Sequence, residues 1–158
     1  MVATARSFED NQPSRRLQAI RQIPPRILIV EDDLELKVVM DRVLDAIAPG
    51  AEVDWVTSTE EAMDLLRDRR FSTGKRSKPY DLLIADIFLE GESTGLDLYR
   101  LCQQEFFDMP IMVTSGMSAE KFFQAVGPNM ISPPFLQKPF LYGECAQMIQ
   151  GVLDYQDA

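Results

Sequence analysis

Arg26-ILIV-Glu31-Asp32-Asp33 is the stretch that decides the fold. Four apolar residues in a row leave no polar face, so the run predicts a short strand buried on both sides, as in a parallel sheet. Two further runs end in the same way, Tyr80-DLLIA-Asp86 and Phe135-LQ-Lys138-Pro139. In open α/β sheets ligands bind at the carboxyl ends of the strands, so three carboxylates and one ammonium are expected to meet there. Carboxylates that close repel one another and must hold either a proton or a metal, while the lysine offers a cation to an arriving anion. The pattern suits phosphoryl chemistry with magnesium.

With 158 residues, 46% of them hydrophobic, the chain has the size for one sizeable core and little room for a second. The formal charge of -9 argues against a nucleic-acid surface, because phosphate contacts need clustered Lys and Arg. Cys102 and Cys145 lie in apolar helical contexts without CxxC spacing, and the chain has no histidine to complete a metal site, so reduced core thiols are expected. The N-terminus has no apolar signal core, and no run approaches the roughly 18 apolar residues of a membrane span. These features point to a cytoplasmic protein that does not cross a membrane.

Residues 1–25 are polar, include Asn11-Gln-Pro and end in Pro24-Pro25, so they read as a flexible tail outside the core. From there strands and helices alternate. Ile27 to Val30 forms the first strand, and Asp33 caps a helix over Leu34 to Ala48 with Leu36, Val39, Met40, Val43, Leu44 and Ile47 facing inward. Ala51 to Val56 alternates as a second strand, and Ser58-TE-Glu61 is a capping-box pattern opening a helix that ends near Arg70. Ser72-TGKRSKP is a loop, Leu82 to Ala85 the third strand and Gly91-ESTG the next loop. The remaining elements are helix Leu96 to Phe107, strand Ile111 to Val113, helix Ala119 to Val126, strand Phe135 to Gln137 and helix Tyr142 to Tyr155. Five βα units with right-handed crossovers imply a doubly wound five-stranded parallel sheet, flavodoxin-like in its order 2-1-3-4-5.

ILIVEDD, YDLLIADIFL, PIMVTSG and FLQKPF follow one another as they do in the receiver domain of two-component response regulators, and the chain resembles that family over about residues 26–155. Any one motif alone would be weak, but together, in register with the expected strands, they are specific. The resemblance implies that Asp86 is the phosphoacceptor, that Glu31, Asp32, Asp86 and the backbone carbonyl of Phe88 hold magnesium, and that Lys138 pairs with the phosphoryl oxygens. It implies that Thr114, rather than Ser115, is the switch hydroxyl, and that the aromatic Phe135 passes the change to a face made by helix four, strand five and helix five. It also implies a cis bond before Pro139, a histidine kinase or histidine phosphotransfer protein as donor, and a downstream protein target. Lacking histidine, the chain is not the donor itself. Helix five is followed only by Asp154-YQDA, so the expectation is a stand-alone receiver with no output domain.

Singly, each residue has a plainer account. Asp32 or Asp33 is a helix cap, Lys138 a snorkelling surface residue, Thr114 a β-branched strand residue and Phe135 core. Three other functions compete with the whole pattern. A haloacid-dehalogenase-like phosphatase needs a second Asp two residues after its nucleophile, where this chain has Phe88. A flavodoxin-like carrier needs a Gly/Ser/Thr phosphate loop after the first strand, where this chain has Glu31-Asp32-Asp33. A degenerate receiver acting only as an interaction module would not need the acceptor residues that are all present here. The sequence departs from the common receiver pattern after Asp86, where Glu90 stands in place of a proline and Gly95 falls one position late, and before strand five, where Asn129-MISPP lengthens the connection.

Overall fold

A computed structural model describes residues 23–72, 78–87, 94–129 and 131–157. The elements are β1 (Arg26–Val30), α1 (Leu34–Ile47), β2 (Glu52–Val56), α2 (Thr59–Ser72), β3 (Leu82–Asp86), α3 (Gly95–Glu105), β4 (Ile111–Ser115), α4 (Ala119–Val126), β5 (Phe135–Gln137) and α5 (Tyr142–Asp157). All four strand pairings are parallel and the order is β2-β1-β3-β4-β5, as the alternation of elements implied.

Strand residues alternate between two separate cores, since successive side chains point to opposite faces. Leu28, Val30, Leu83, Ala85, Ile111 and Val113 pack with Leu66 of α2, Leu98 of α3 and Phe122 and Val126 of α4. Ile27, Ile29, Leu82, Ile84, Met112 and Leu136 pack on the other side, with Met40, Val43 and Leu44 of α1 and Cys145, Ile149 and Leu153 of α5. The inward stripe expected for α1 is the one that packs, with Leu36, Val39 and Ile47 half-buried at its margins. Leu34 and Val38 face solvent.

Asp33 caps α1 as expected, its carboxylate accepting the Glu35 N–H at 2.9 Å. Ser58 Oγ accepts the Glu61 N–H at 3.2 Å, one half of the anticipated capping box. Helix α3 starts earlier and ends earlier than periodicity suggested. Its N-cap is Thr94, whose hydroxyl accepts the Asp97 N–H (3.3 Å) while Asp97 accepts the Thr94 N–H (2.9 Å). Its C-cap is Phe106, and Phe107 beyond it is exposed. Strand β4 runs two residues past Val113 to Ser115, and β3 one residue past Ala85 to Asp86. Residues 1–22 of the anticipated tail, 73–77 of the lysine-rich loop and 88–93 of the loop after Asp86 lie outside the described residues. Helix α5 reaches back to the start of β3. Gln156 Nε2 donates to the Asp81 carbonyl at 2.7 Å, the Lys78 ammonium donates to Gln156 Oε1, and Asp81 Oδ2 accepts the Arg26 N–H at 2.8 Å.

Both cysteines are free and buried, Cys145 against Met40 with Sγ–Sδ at 3.7 Å. Burial pushes the Cys102 thiol up to about 12 and the Cys145 thiol up to about 11. The thiolate is the nucleophile, so neither should react with a disulfide reagent near neutral pH until the domain unfolds. Reaction of both thiols should follow the unfolding curve in urea. Stoichiometric labelling in native buffer would show that one of the two cores opens readily.

Candidate functional site

Alternation along the strands gathers the motif residues on one side of the sheet. Glu31 continues the parity of Ile27 and Ile29, Asp86 that of Leu82 and Ile84, Thr114 that of Met112 and Lys138 that of Leu136, all residues of the α1/α5 core. The sheet register sets their depth, with Asp86 paired to Thr114 and Thr114 to Leu136. Backbone bonds fix the strand ends. Glu31 N–H donates to the Val56 carbonyl (3.0 Å), Ile87 N–H to that of Thr114 (3.2 Å) and Lys138 N–H to that of Ser115 (2.7 Å). The Lys138–Pro139 peptide is cis.

Lys138 Nζ lies 2.5 Å from Glu31 Oε2 and 2.9 Å from Asp86 Oδ2. The second Glu31 oxygen, Oε1, accepts the Asp33 N–H at 3.0 Å. Glu31, Asp86 and Thr114 are buried, whereas Asp32 is exposed beside them. Burial pushes the Glu31 carboxyl above the ordinary carboxylate range, and the negative Asp86 adds to this against the opposing bonds from Lys138 and the Asp33 N–H. Burial alone would lower the Lys138 ammonium, but its bonds to Glu31 and Asp86 outweigh this and hold it above its usual range. The two shifts thus differ in cause, burial for the Glu31 carboxyl and the two carboxylate partners for the Lys138 ammonium.

One ligand oxygen each from Glu31, Asp32 and Asp86 can be chosen so that all lie within 4.8 Å of one another. Three carboxylates against one ammonium leave a formal excess of two negative charges. The donor set is oxygen only, partly open to water through Asp32, which matches a small hard divalent cation that keeps several waters. The residues therefore fit magnesium. Phe88, whose backbone carbonyl was expected to join this set, lies outside the described residues.

Thr114 and Ser115 face opposite sides of the sheet. Thr114 is the residue paired to Asp86, while Ser115 belongs to the opposite parity and its hydroxyl accepts the Met117 N–H at 3.0 Å, turning the chain toward α4. Phe135 pairs with Val113, also on the opposite side from Asp86, and stacks on Phe122 of α4. Two features escaped the sequence reading. The capping box at Thr94 was readable as T-x-x-D, but the glycine after it was not. A Cβ on Gly95 would lie 2.0 Å from the Asp86 carbonyl oxygen and 2.7 Å from Ile87 Cα, and Gly95 N–H donates to the Ile87 carbonyl at 3.1 Å. The start of α3 thus rests directly on the backbone that carries Asp86.

A family model described as the response regulator receiver domain matches residues 27–150. Solved structures agree in fold. The non-phosphorylated HemR receiver domain from Leptospira biflexa is 25% identical with a TM-score of 0.62, the match covering 82% of this chain and 94% of that one. A CheY-like receiver domain protein from Methanospirillum hungatei is 20% identical with a TM-score of 0.65, over 85% of this chain and 98% of that one. The phosphorylated cyanobacterial phytochrome response regulator RcpA is 19% identical with a TM-score of 0.63, over 84% and 94%.

Proposed function

Since the chain belongs to the response regulator receiver family, we propose that it takes a phosphoryl group on Asp86 from a histidine kinase or histidine phosphotransfer protein and changes a protein-binding face in response. Receivers are switch domains that generally bind magnesium at an acidic pocket. The observation that carries the assignment to Asp86 is its position, buried at the end of β3, 2.9 Å from Lys138 and within reach of Glu31 and Asp32.

The chemistry follows from these groups. An ionised Asp86 oxygen attacks the phosphorus of a phosphoimidazole, the P–O bond forms as the P–N bond breaks, and the imidazole, protonated on its other nitrogen, departs neutral. Phosphoryl transfer asks for positioning and charge balance rather than covalent help. Lys138 supplies a fixed cation for the phosphoryl oxygens, and Thr114 beside Asp86 supplies a hydroxyl donor. Glu31, Asp32, Asp86 and the backbone carbonyl of Phe88 would hold magnesium, which would supply positive charge to offset the negative charge of the phosphoryl group. The phosphoryl group of the product carries about 1.5 to 2 negative charges where the ionised carboxylate carried one, and this added charge draws Lys138 and Thr114 toward it. Phe135 and α4 lie next to that strand end, so the α4, β5 and α5 face is where a downstream partner reads the change. Among the described residues no helix is long and apolar enough to cross a membrane, in keeping with action in the cytoplasm.

The test is labelling of the whole chain by acetyl phosphate with magnesium, followed by borohydride reduction and peptide mapping. One label on Asp86, absent in excess chelator, is the expected result. A label elsewhere, or undiminished labelling without divalent ions, would remove the assignment.

A further inference from the structure

Phe135 is held by two rings of α4. Phe122 is 1% exposed and stacks almost parallel on it, with centroids 4.9 Å apart and planes at 15°. Phe123 is 43% exposed, tilted, and 6.2 Å from Phe135. The Phe122–Phe135 pair is an offset stack, an arrangement with a definite energy minimum, so Phe135 cannot turn without sliding off its neighbour or carrying it along. Phe122 is itself fixed in the core formed with Val113 and Val126, near the start of a helix capped by Ser118 and ended by Gly127 at φ 83°. Ser115, on the same side of the sheet as Phe135, is tied through its hydroxyl to the Met117 N–H, so the chain from the phosphorylation level into α4 is short and bonded.

We propose that Phe122 is a positioning residue for the switch. Its ring sets the resting orientation of Phe135 and makes α4 move whenever Phe135 does. This rests on the reading of Asp86 as the acceptor, but half of the proposal concerns the resting protein and is read without any phosphoryl group. With the stack removed, the ratio of Phe135 orientations shifts by on the order of three- to tenfold.

The experiment uses the full chain with carbon-13-labelled phenylalanine, the Phe135 ring signals assigned by their loss in Phe135→Leu. In Phe122→Leu the Phe135 χ1 populations, read from three-bond carbonyl-to-Cγ couplings because the loss of a neighbouring ring current shifts the signals by itself, are expected to change before any ligand is added. With magnesium and beryllofluoride, β1 and β3 amides should respond as in wild type, while the α4 amide response falls by at least half. Phe122→Met, which keeps much of the volume but not the ring face, should repeat this, and it serves if the leucine variant folds poorly. Phe123→Leu, which removes the more distant, tilted ring, should change the Phe135 χ1 populations by less than Phe122→Leu does. A residue serving only as core filling would lower the melting temperature without changing the Phe135 χ1 populations. Unchanged Phe135 χ1 populations in folded Phe122→Leu or Phe122→Met overturn the proposal. Absence of any beryllofluoride response in wild type counts instead against the acceptor assignment, and the resting-state comparison still decides the role of Phe122.

Discussion

Lys138→Met is expected to slow labelling of Asp86 by acetyl phosphate about a hundredfold or more, the usual scale for removing one preorganised charge donor from a transfer site. The same change should alter stability. Lys138 is the cation that separates Glu31 from Asp86, at 2.5 Å and 2.9 Å, and neither carboxylate is more than slightly exposed. Breaking a buried ion pair by deleting one partner costs about 3–5 kcal/mol. The lower end applies, because Glu31, already raised by burial, can relieve the repulsion by taking up a proton. Magnesium should bind the variant more tightly than the wild type, since a competing positive charge has gone from among its ligands. Urea unfolding with and without magnesium measures both effects. Equal magnesium stabilisation in the two proteins would mean that lysine and metal do not share those oxygens.

Gly95→Ala is the second large effect. Its methyl would sit 2.0 Å from the Asp86 carbonyl oxygen, a backbone atom with no flexible end to give way. Overpacking ordinarily costs about 1–3 kcal/mol, and a clash against backbone belongs at or above the top of that range. Relief requires the start of α3 to lift from β3, which breaks the Gly95 to Ile87 hydrogen bond and tilts Asp86. The expected result is a lowered denaturation midpoint together with magnesium affinity weakened by about tenfold, an outcome on the scale of 1.4 kcal/mol. A variant that loses stability but keeps wild-type magnesium affinity would show that Asp86 is positioned without help from α3.

Sheet order, strand positions and the grouping of Glu31, Asp32, Asp86 and Lys138 were legible because each depends on a local pattern. Apolar runs mark strands, and the parity of a strand fixes its faces. Even β5, only three residues long, could be placed because Phe135-LQ ends on Lys138-Pro139. What could not be read depends on contacts between segments far apart in the chain. Gly95 is one glycine among 8 until α3 is laid on β3, and nothing in Phe122-Phe123 announces that one ring is core and the other half in solvent. The boundaries of α3 failed for a physical reason. Its start is set by the Thr94–Asp97 hydrogen bonds rather than by the apolar stripe, and its end by Phe106 turning into the core while Phe107 points out. That Thr114 lies beside Asp86 while Ser115 faces the other side likewise needed the register with β3.

The bonds from Gln156 to Asp81 and Lys78 tie the last turn of α5 to the mouth of the strand that ends in Asp86. A strand is stiff along its length, and five residues carry a displacement about 16 Å with little loss. A reporter or fused module attached beyond Gln156 therefore becomes a lever. If crowding by it unwinds that turn, the bonds to Asp81 and Lys78 go with it, and a chain altered only beyond Gln156 would be misread as one altered at Asp86.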